Sequence, residues 1–320
     1  MSAVQRTGVI VNPRSGSGRT GRKWPAIERL LVERLGPVEV RRTELPGDGV
    51  ALARALLGEG FDRIVAAGGD GTISEAANGF LENDEPVRPG AVLGILPLGT
   101  GGDFNRTLGI PRDPRRAVEV LATGRTLRID VGKAAYRDPR GSARTRYFVN
   151  LASFGMGGDV AARSNNFLSP LGGTVSFLYA SAVALLRYQA KRVRLRLDGA
   201  AETRSVAIHN VAVGNGRFHG GGMQACPTAV LHDGVLEVTV IEYMRVWEAI
   251  RDFPVLYSND VYRHPKVKHL RARRLAAESD DTVRIEIDGE PLGQLPLEVE
   301  VLPQRLNVLV PPDSPLLSAQ

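Results

Sequence analysis

The chain has 320 residues, 43% hydrophobic and 24% charged, the balance of a globular protein of about two domains rather than a fibrous or disordered chain. A formal net charge of +6 suits anionic partners, but aromatics make up only 6% and do not interleave with the basic clusters, so nucleic acid is not the expected partner. The single cysteine, Cys226, excludes an internal disulfide and, with no zinc-type spacing, points to a reducing cytoplasm.

Strand-like Gly8–Val11 begins so early that no cleaved signal segment is expected. A Ser/Gly loop follows (Asn12-Pro13-Arg14-Ser15-Gly16-Ser17-Gly18-Arg19), then a helix from about Gly21 to Leu35. Val38–Glu44 reads as a second strand carrying Thr43, and Asp48 as the cap of a helix through Leu57. Arg63–Ala67 is a third strand, entering Gly68-Gly69-Asp70-Gly71-Thr72-Ile73-Ser74 and a helix to about Leu81. Val92–Leu96 is a fourth, entering Pro97-Leu98-Gly99-Thr100-Gly101-Gly102-Asp103. A helix is expected at Pro114–Ala122. Strands alternating with helices predict an α/β, Rossmann-like domain with a parallel sheet, whose ligand binds at the carboxyl ends of the strands. All three glycine-rich loops lie on that edge.

The chemistry of those loops is specific. Helix N-termini offer unpaired N–H groups and a positive dipole end, and glycines let backbone approach a phosphate closely. Asp70 is out of place in a bare anion site, because a carboxylate repels phosphate unless a cation lies between them. The stretch therefore implies Mg²⁺ and a nucleotide triphosphate.

From about residue 128 the pattern changes to short alternating runs with Gly, Asp and Pro turns, which predicts a β-rich, sandwich-like second domain. The runs are Arg128–Ala134 (with Asp130), Arg146–Leu151, Val193–Leu197, Ser205–Val213, Val235–Ile241, Thr282–Ile287 and Leu297–Val301. Helices are expected around Leu171–Tyr188, a buried helix rather than a bilayer span, and around Val246–Leu256. The last strand, Leu306–Val310, could belong to either domain. Asp288-Gly289 can be a hairpin turn and nothing more, or it can present Glu290 as a general base. Asp233-Gly234 likewise is a turn that could also hold a hard cation. Gly214–Gly222 is too glycine-dense for a strand interior, so it is either mobile or passes close to a ligand. The five histidines and Cys226 are read as structural.

Taken together, these stretches resemble the diacylglycerol-kinase-type lipid kinases, especially the small bacterial members. The motifs are Asn12-Pro13-x-Ser15-Gly16, Gly68-Gly69-Asp70-Gly71-Thr72, Pro97-Leu98-Gly99-Thr100…Asp103-Phe104, Asn215-Gly216…Gly220-Gly221-Gly222, Asp233-Gly234-x-Leu236 and Asp288-Gly289-Glu290. The GGDGT loop is shared with NAD kinases; all six motifs in this order are specific to the lipid branch. The resemblance implies an ATP-binding catalytic domain of 1–127 with a returning strand in 304–320, a lipid-substrate domain of 128–303, and an active site in the cleft between them. ATP would contact Asn12, Pro13, Arg14, Ser15, Gly16, Thr43, Gly68, Gly69, Asp70, Gly71, Thr72, Ile73, Ser74 and Thr100. Asp70, Asp103 and Asp130 would hold a catalytic Mg²⁺, largely through waters, and Glu290, helped by Asp288, would activate the lipid hydroxyl. A second, structural Mg²⁺ would rest on Asp233 and the carbonyls of Val230 and Val235. The implied partner is a lipid, most of all diacylglycerol, reached by transient peripheral contact with a membrane, and a homodimer is left open. A sphingosine-like, polyprenol or glycolipid acceptor and a non-catalytic nucleotide sensor are the alternatives. Two positions depart from the family pattern, since Gly102 and Ser74 stand where Asn is usual.

Overall fold

The computed structural model describes residues 6–166, 188–201, 203–258 and 260–318. The chain forms two compact units, Met1–Asp130 with Gln304–Gln320, and Val131–Pro303. The strand Arg125–Arg137 runs straight through the expected boundary at 127, and the division falls after Asp130.

In unit 1 the order is β1 (Thr7–Val11), α1 (Arg19–Leu35), β2 (Val38–Arg42), α2 (Asp48–Gly58), β3 (Arg63–Gly68) and α3 (Asp70–Gly79). A small hairpin follows, β4 (Leu81–Glu82) with β5 (Glu85–Pro86), then β6 (Val92–Pro97), α4 (Asp103–Leu108), α5 (Pro114–Thr123) and the start of β7 (Arg125–Arg137). The sheet runs β2-β1-β3-β6, all parallel, with Val9 opposite Val65 and Val65 opposite Gly94. The end of the last strand joins beside β6, Asn307 opposite Val92, so the C-terminus returns to this unit. Five of the six β3 residues are buried, as a strand covered on both faces requires. Gly94 makes room for a helix, since a Cβ there would lie 2.5 Å from the Leu121 Cδ2 of α5. Ile10, Ile64, Val65, Leu93 and Ile95 are fully buried, each worth about 1.5–3 kcal/mol in burial.

Three local expectations change. Asp48 does not cap α2: Gly47 (φ +95°) takes that position, and the Asp48 carboxylate accepts from the Leu45 and Glu44 N–H groups at 2.7 and 2.8 Å. Those bonds hold its pKa below the ordinary carboxylate range. The Gly47 and Gly49 amides go instead to Glu75 of α3, at 2.8 and 2.9 Å. The helix α3 stops at Gly79 rather than Leu81, where the small hairpin begins. The six residues of α4 are too few to show a helical period in sequence.

Unit 2 continues β7 and adds β8 (Ala143–Phe148), β9 (Leu151–Gly155), α6 (Met156–Asn166), β10 (Lys191–Leu197), β11 (Arg204–Gly214) and β12 (Leu236–Glu242). Then come α7 (Val246–Asp252), two 3₁₀ turns (Phe253–Tyr257 and Val261–Arg263), β13 (Val267–Ala272), β14 (Arg274–Glu278), β15 (Arg284–Ile287) and the start of β16 (Glu290–Val310). The path β11-β10-β14-β16-β15-β9 returns to β11, antiparallel throughout. The circuit closes because β11 changes partner, pairing β10 up to Ile208 and β9 from Asn210, with a register break against β12 at His209. Inside it, Phe148, Phe154, Val193, Ile208, Val211, Val238, Ile285 and Ile287 form one apolar core.

The expected strand Arg146–Leu151 is two strands, interrupted where backbone amides bond to a side chain instead of a ladder (below). The basic stretch 266–274 contributes two unexpected strands, β13 and β14, which bury Val267, Ala272, Leu275 and Ala277 and expose the cations between them. The two last strands expected separately are one 21-residue strand. The helix expected at Leu171–Tyr188 lies outside the described residues. Among the described residues no helix is long and apolar enough to cross a membrane.

Candidate functional site

In unit 1 the site grows from the carboxyl ends of β1, β3 and β6. Asn12 ties the first loop to the second. Its N–H donates to the Ala67 carbonyl at 3.0 Å, and its amide nitrogen donates to Thr72 Oγ1 at 3.2 Å. The third loop is drawn onto the second by Leu98 and Gly99 N–H groups, both donating to the Gly68 carbonyl at 2.8 and 3.0 Å. Missing side chains permit this approach: a Cβ on Gly99 would lie 2.4 Å from Gly69 Cα, and one on Gly16 2.8 Å from the Leu98 carbonyl oxygen. Gly69 caps α3 with no side-chain bond to its first amides, and Gly18 does the same for α1. The result is a backbone surface at the N-terminus of α3, which suits a polyphosphate, while the first amides of α1 go to the Gly16, Ser15 and Pro13 carbonyls.

Into this surface Asp70 brings a carboxylate. Its Oδ2 accepts from Gly102 N–H at 2.6 Å, and its Oδ1 from Asp103 N–H at 3.0 Å and Phe104 N–H at 3.3 Å. Burial, and then the neighbouring Asp103 carboxylate, raise the Asp70 pKa against the opposing pull of those amides. Asp103 Oδ1 accepts from Arg106 Nη1 at 2.7 Å. Two carboxylates held together by a loop are oxygen donors of the kind Mg²⁺ takes, and a cation relieves their repulsion. The residues fit that ion as one or two carboxylates plus water and phosphate, not as a cage: among the described residues no group of three or more His, Cys, Asp or Glu is arranged to hold a metal. Asp130 is fully buried, and its Oδ1 accepts from Gln304 N–H at 2.7 Å, bracing the point where the chain re-enters this unit.

The other expected nucleotide contacts take varied places. Pro13 accepts from Gly21 N–H at 3.0 Å, Arg14 is exposed, and Ser15 Oγ would stand 3.5 Å from a Cβ on Gly69. Thr43 is buried and donates its N–H to Val11. Ile73 is core, Thr72 packs on Gly68, and the Thr100 carbonyl accepts from Arg112 at 2.8 Å. The departure at Gly102 falls at a left-handed backbone position. Its φ is +73°, and a Cβ would lie 2.8 Å from Arg112 Nη2 and 2.5 Å from Asn105 Oδ1. The Ser74 hydroxyl is buried without a protein partner, while its carbonyl accepts from Asn78.

In unit 2 Asp288-Gly289 is a two-residue hairpin turn with φ +48° and +89°, joining Ile287 to Glu290. The turn also carries side chains with work to do. Asp288 accepts from the Val149, Asn150 and Leu151 N–H groups at 3.2, 3.1 and 3.0 Å, which is what separates β8 from β9. Glu290 Oε2 accepts from Arg146 Nη2 at 3.2 Å. Two further residues belong here that the sequence did not single out. Glu286, fully buried, accepts from Ser153 Oγ at 3.0 Å and Gly289 N–H at 2.9 Å, and His219 Nε2 lies 3.3 Å from it. A separation of 67 residues between His219 and Glu286 leaves no spacing signal to find. The glycine-dense segment passes close to protein rather than to open solvent. Asn215 and Gly216 donate to the Asn150 carbonyl at 2.9 and 2.7 Å, and a Cβ on Gly216 would lie 2.2 Å from Asn150 Oδ1. Asp233 accepts from Val235 N–H at 3.2 Å and pairs with Arg271.

Comparison with known proteins fits this arrangement. A family described as the diacylglycerol kinase catalytic domain matches residues 6–134, and the YegS C-terminal NAD kinase beta sandwich-like domain matches 150–310. A Chromohalobacter salexigens protein named "Probable lipid kinase YegS-like" is 33% identical over 88% of this chain and 86% of its own length. A diacylglycerol kinase of Staphylococcus saprophyticus is 29% identical over 97% of this chain and 96% of its own. The crystal structure of a diacylglycerol kinase from Bacillus anthracis superposes with a TM-score of 0.71 at 22% identity, covering 98% and 100% of the two chains. Yeast NADH kinase in complex with NADH shares the fold more distantly, with a TM-score of 0.50 at 13% identity over 97% of this chain and 84% of that one.

Proposed function

We propose that this chain, which belongs to the diacylglycerol-kinase-type lipid kinase family, transfers the γ-phosphate of ATP to the hydroxyl of a membrane lipid, diacylglycerol before others. The observation that carries the reading is the Asp70–Asp103 carboxylate pair inside a glycine-lined loop at the carboxyl edge of a parallel sheet. The amides of loop 68–72 at the N-terminus of α3, with loops 12–18 and 97–101 packed beside them, bind and orient the polyphosphate. Mg²⁺ held by Asp70 and Asp103 would neutralise charge on the β- and γ-phosphates. Glu290 takes the proton of the lipid hydroxyl as that oxygen bonds to the γ-phosphorus and the bond to the β-phosphate oxygen breaks, releasing ADP. Arg146 holds Glu290 in place, while Glu286 and Asp288 fix the turn that presents it. Asp130 serves the metal only indirectly in this reading, through the position of β7. A second Mg²⁺ on Asp233 with the carbonyls of Val230 and Val235 belongs to the same proposal, and it requires Arg271 to release the carboxylate. Contact with the membrane is peripheral.

The test is γ-labelled ATP and Mg²⁺ with the pure protein and a panel of diacylglycerol, monoacylglycerol, sphingosine, ceramide and undecaprenol in mixed micelles, with NAD as a soluble control. Label on one lipid names the acceptor; label on NAD alone overturns the reading. Glu290→Gln should bind ATP normally and turn over about 10²–10⁴-fold more slowly, and unchanged turnover would remove Glu290 as the base.

A further inference from the structure

One face of α7 is apolar and exposed. Among the described residues five large hydrophobic side chains are exposed, and three of them lie within eleven residues: Trp247 at 56%, Ile250 at 54% and Tyr257 at 41%. Trp247 and Ile250 are three residues apart and share one face of α7. The opposite face is anchored, since Ala249 is buried against Met244, Met156 and Ile241. Beneath the helix and the 3₁₀ turn that follows lies an apolar cavity, walled by Ile241, Met244, Ala249, Val255, Leu256 and Val261. Trp247 and Ile250 on one face of α7, with exposed Tyr257 at the end of the next turn, make an apolar patch of the kind that marks an interaction surface.

The charge around it says which. Residues 245–274 carry eight Lys or Arg against three Asp or Glu, a surplus of five where the whole chain's is +6. Arg245, Lys266 and Lys268 are exposed, and His264 bonds to Asp252 at 3.1 Å, tying the basic stretch to the end of α7. The Arg251 guanidinium sits 5.4 Å from the Trp247 ring centroid and is clamped to Asp252 by two bonds of 2.7 Å. Exposed aromatic and aliphatic side chains followed in the chain by a basic stretch, in which Arg271 and Arg274 pair with Asp233, Glu237 and Glu300, match the two layers of an anionic bilayer, its acyl boundary and its phosphates. We propose that α7 and the 3₁₀ turn Phe253–Tyr257 form the face that docks on an anionic lipid surface, with Trp247, Ile250 and Tyr257 entering the headgroup layer and Arg245, Lys266 and Lys268 meeting lipid phosphates. The inference rests on the lipid-kinase reading for its purpose, but it can be tested without any phosphoryl transfer.

The chain has two tryptophans, and Trp24 is buried, so a Trp24→Phe variant makes Trp247 a clean reporter. Its fluorescence is followed during titration with vesicles of phosphatidylcholine alone, or of phosphatidylcholine with phosphatidylglycerol, and with brominated acyl chains. The expected result is a blue shift and bromine quenching on the anionic vesicles only, weakened by salt. Trp247→Ala combined with Ile250→Ala should weaken vesicle binding at least about tenfold, since both side chains leave water on docking. The same variant should keep its unfolding midpoint and its rate on a dispersed short-chain lipid. Vesicle binding that leaves Trp247 fluorescence unmoved, or that survives the double substitution, overturns the proposal. So does a lipid kinase that never binds vesicles, or a dimer that the double substitution splits in light scattering, which would make the face a subunit interface. Vesicle docking by a protein that labels no lipid would leave this inference standing and remove the kinase reading alone.

Discussion

Asp70 in unit 1 and Asp288 in unit 2 are built alike: each is a carboxylate beside a glycine turn that accepts three backbone N–H groups from a distant loop. Their surroundings give them opposite uses. Asp70 faces a second carboxylate, Asp103, and its pKa is raised despite three amides, so its charge is held at a cost that a bound cation would offset. Asp288 spends its oxygens on Val149, Asn150 and Leu151 and thereby sets where β8 ends and β9 begins. The same hydrogen-bond pattern lies beside a second carboxylate in one place and between two strands in the other, and the Asp103 charge is what makes Asp70 the candidate metal ligand. Asp288, expected to help in the chemistry, has its carboxylate on the 149–151 amides, two residues before Glu290.

Paired substitutions test that distinction. Asp70→Asn should lower turnover by about 10²–10³-fold while leaving stability unchanged or raised, because the like-charge contact with Asp103 disappears. Asp288→Asn should reverse the order of effects, costing about 1–3 kcal/mol in urea unfolding with a smaller loss of turnover. Equal losses of turnover in the two variants would erase the contrast. Gly99→Ala comes next. Its Cβ would lie 2.4 Å from Gly69 Cα, so the loops must separate, at about 1–3 kcal/mol, with a raised KM for ATP and an unaltered KM for lipid.

A pH series gives a smaller but directional signal. Asp70 is raised above its ordinary value of 3.8, so the folded state binds the proton more tightly than the unfolded chain. Its contribution to stability is full below 3.8 and is lost as pH rises through the elevated native value. The melting temperature without Mg²⁺ should therefore carry a downward component over that window, diminished by Mg²⁺ and absent in Asp70→Asn. The smallest effect is a labelling rate. Cys226 is buried against Gly214, and burial pushes its thiol up to about 12, so thiol reagents should not reach it in the native protein. Asp288→Asn, which loosens the neighbouring 149–151 loop, should speed that labelling; Asp70→Asn should not.

The alternating strands and helices of unit 1 were legible because each is long enough to show its period, and because strands covered on both faces read as unbroken apolar runs such as Ile64–Ala67. The glycine-rich turns after β1, β3 and β6 were legible from glycine and aspartate at strand ends. In unit 2 the register was not. The helical period of α4 is too short to see, the cations of Val267–Glu278 hid two strands, and no local signal marks the split at Val149–Asn150, because its cause lies 138 residues on in Asp288. Capping was misread at Asp48 for the same reason, since Glu75 supplies the bonds from another helix.

What the chain determined by itself, then, is composition-level and local: an α/β unit, a β-rich unit, glycine turns at the carboxyl edge, and which carboxylates sit in them. Tertiary structure alone decided that Asp70 meets Asp103, that Arg112 fills the space a side chain at Gly102 would need, and that Glu286 and His219 stand behind the Asp288-Gly289-Glu290 turn. The physical reason is range. Periodicity and turn chemistry act over a few residues, whereas the pKa of a carboxylate and the fit of a glycine depend on atoms that only folding brings within a few ångströms.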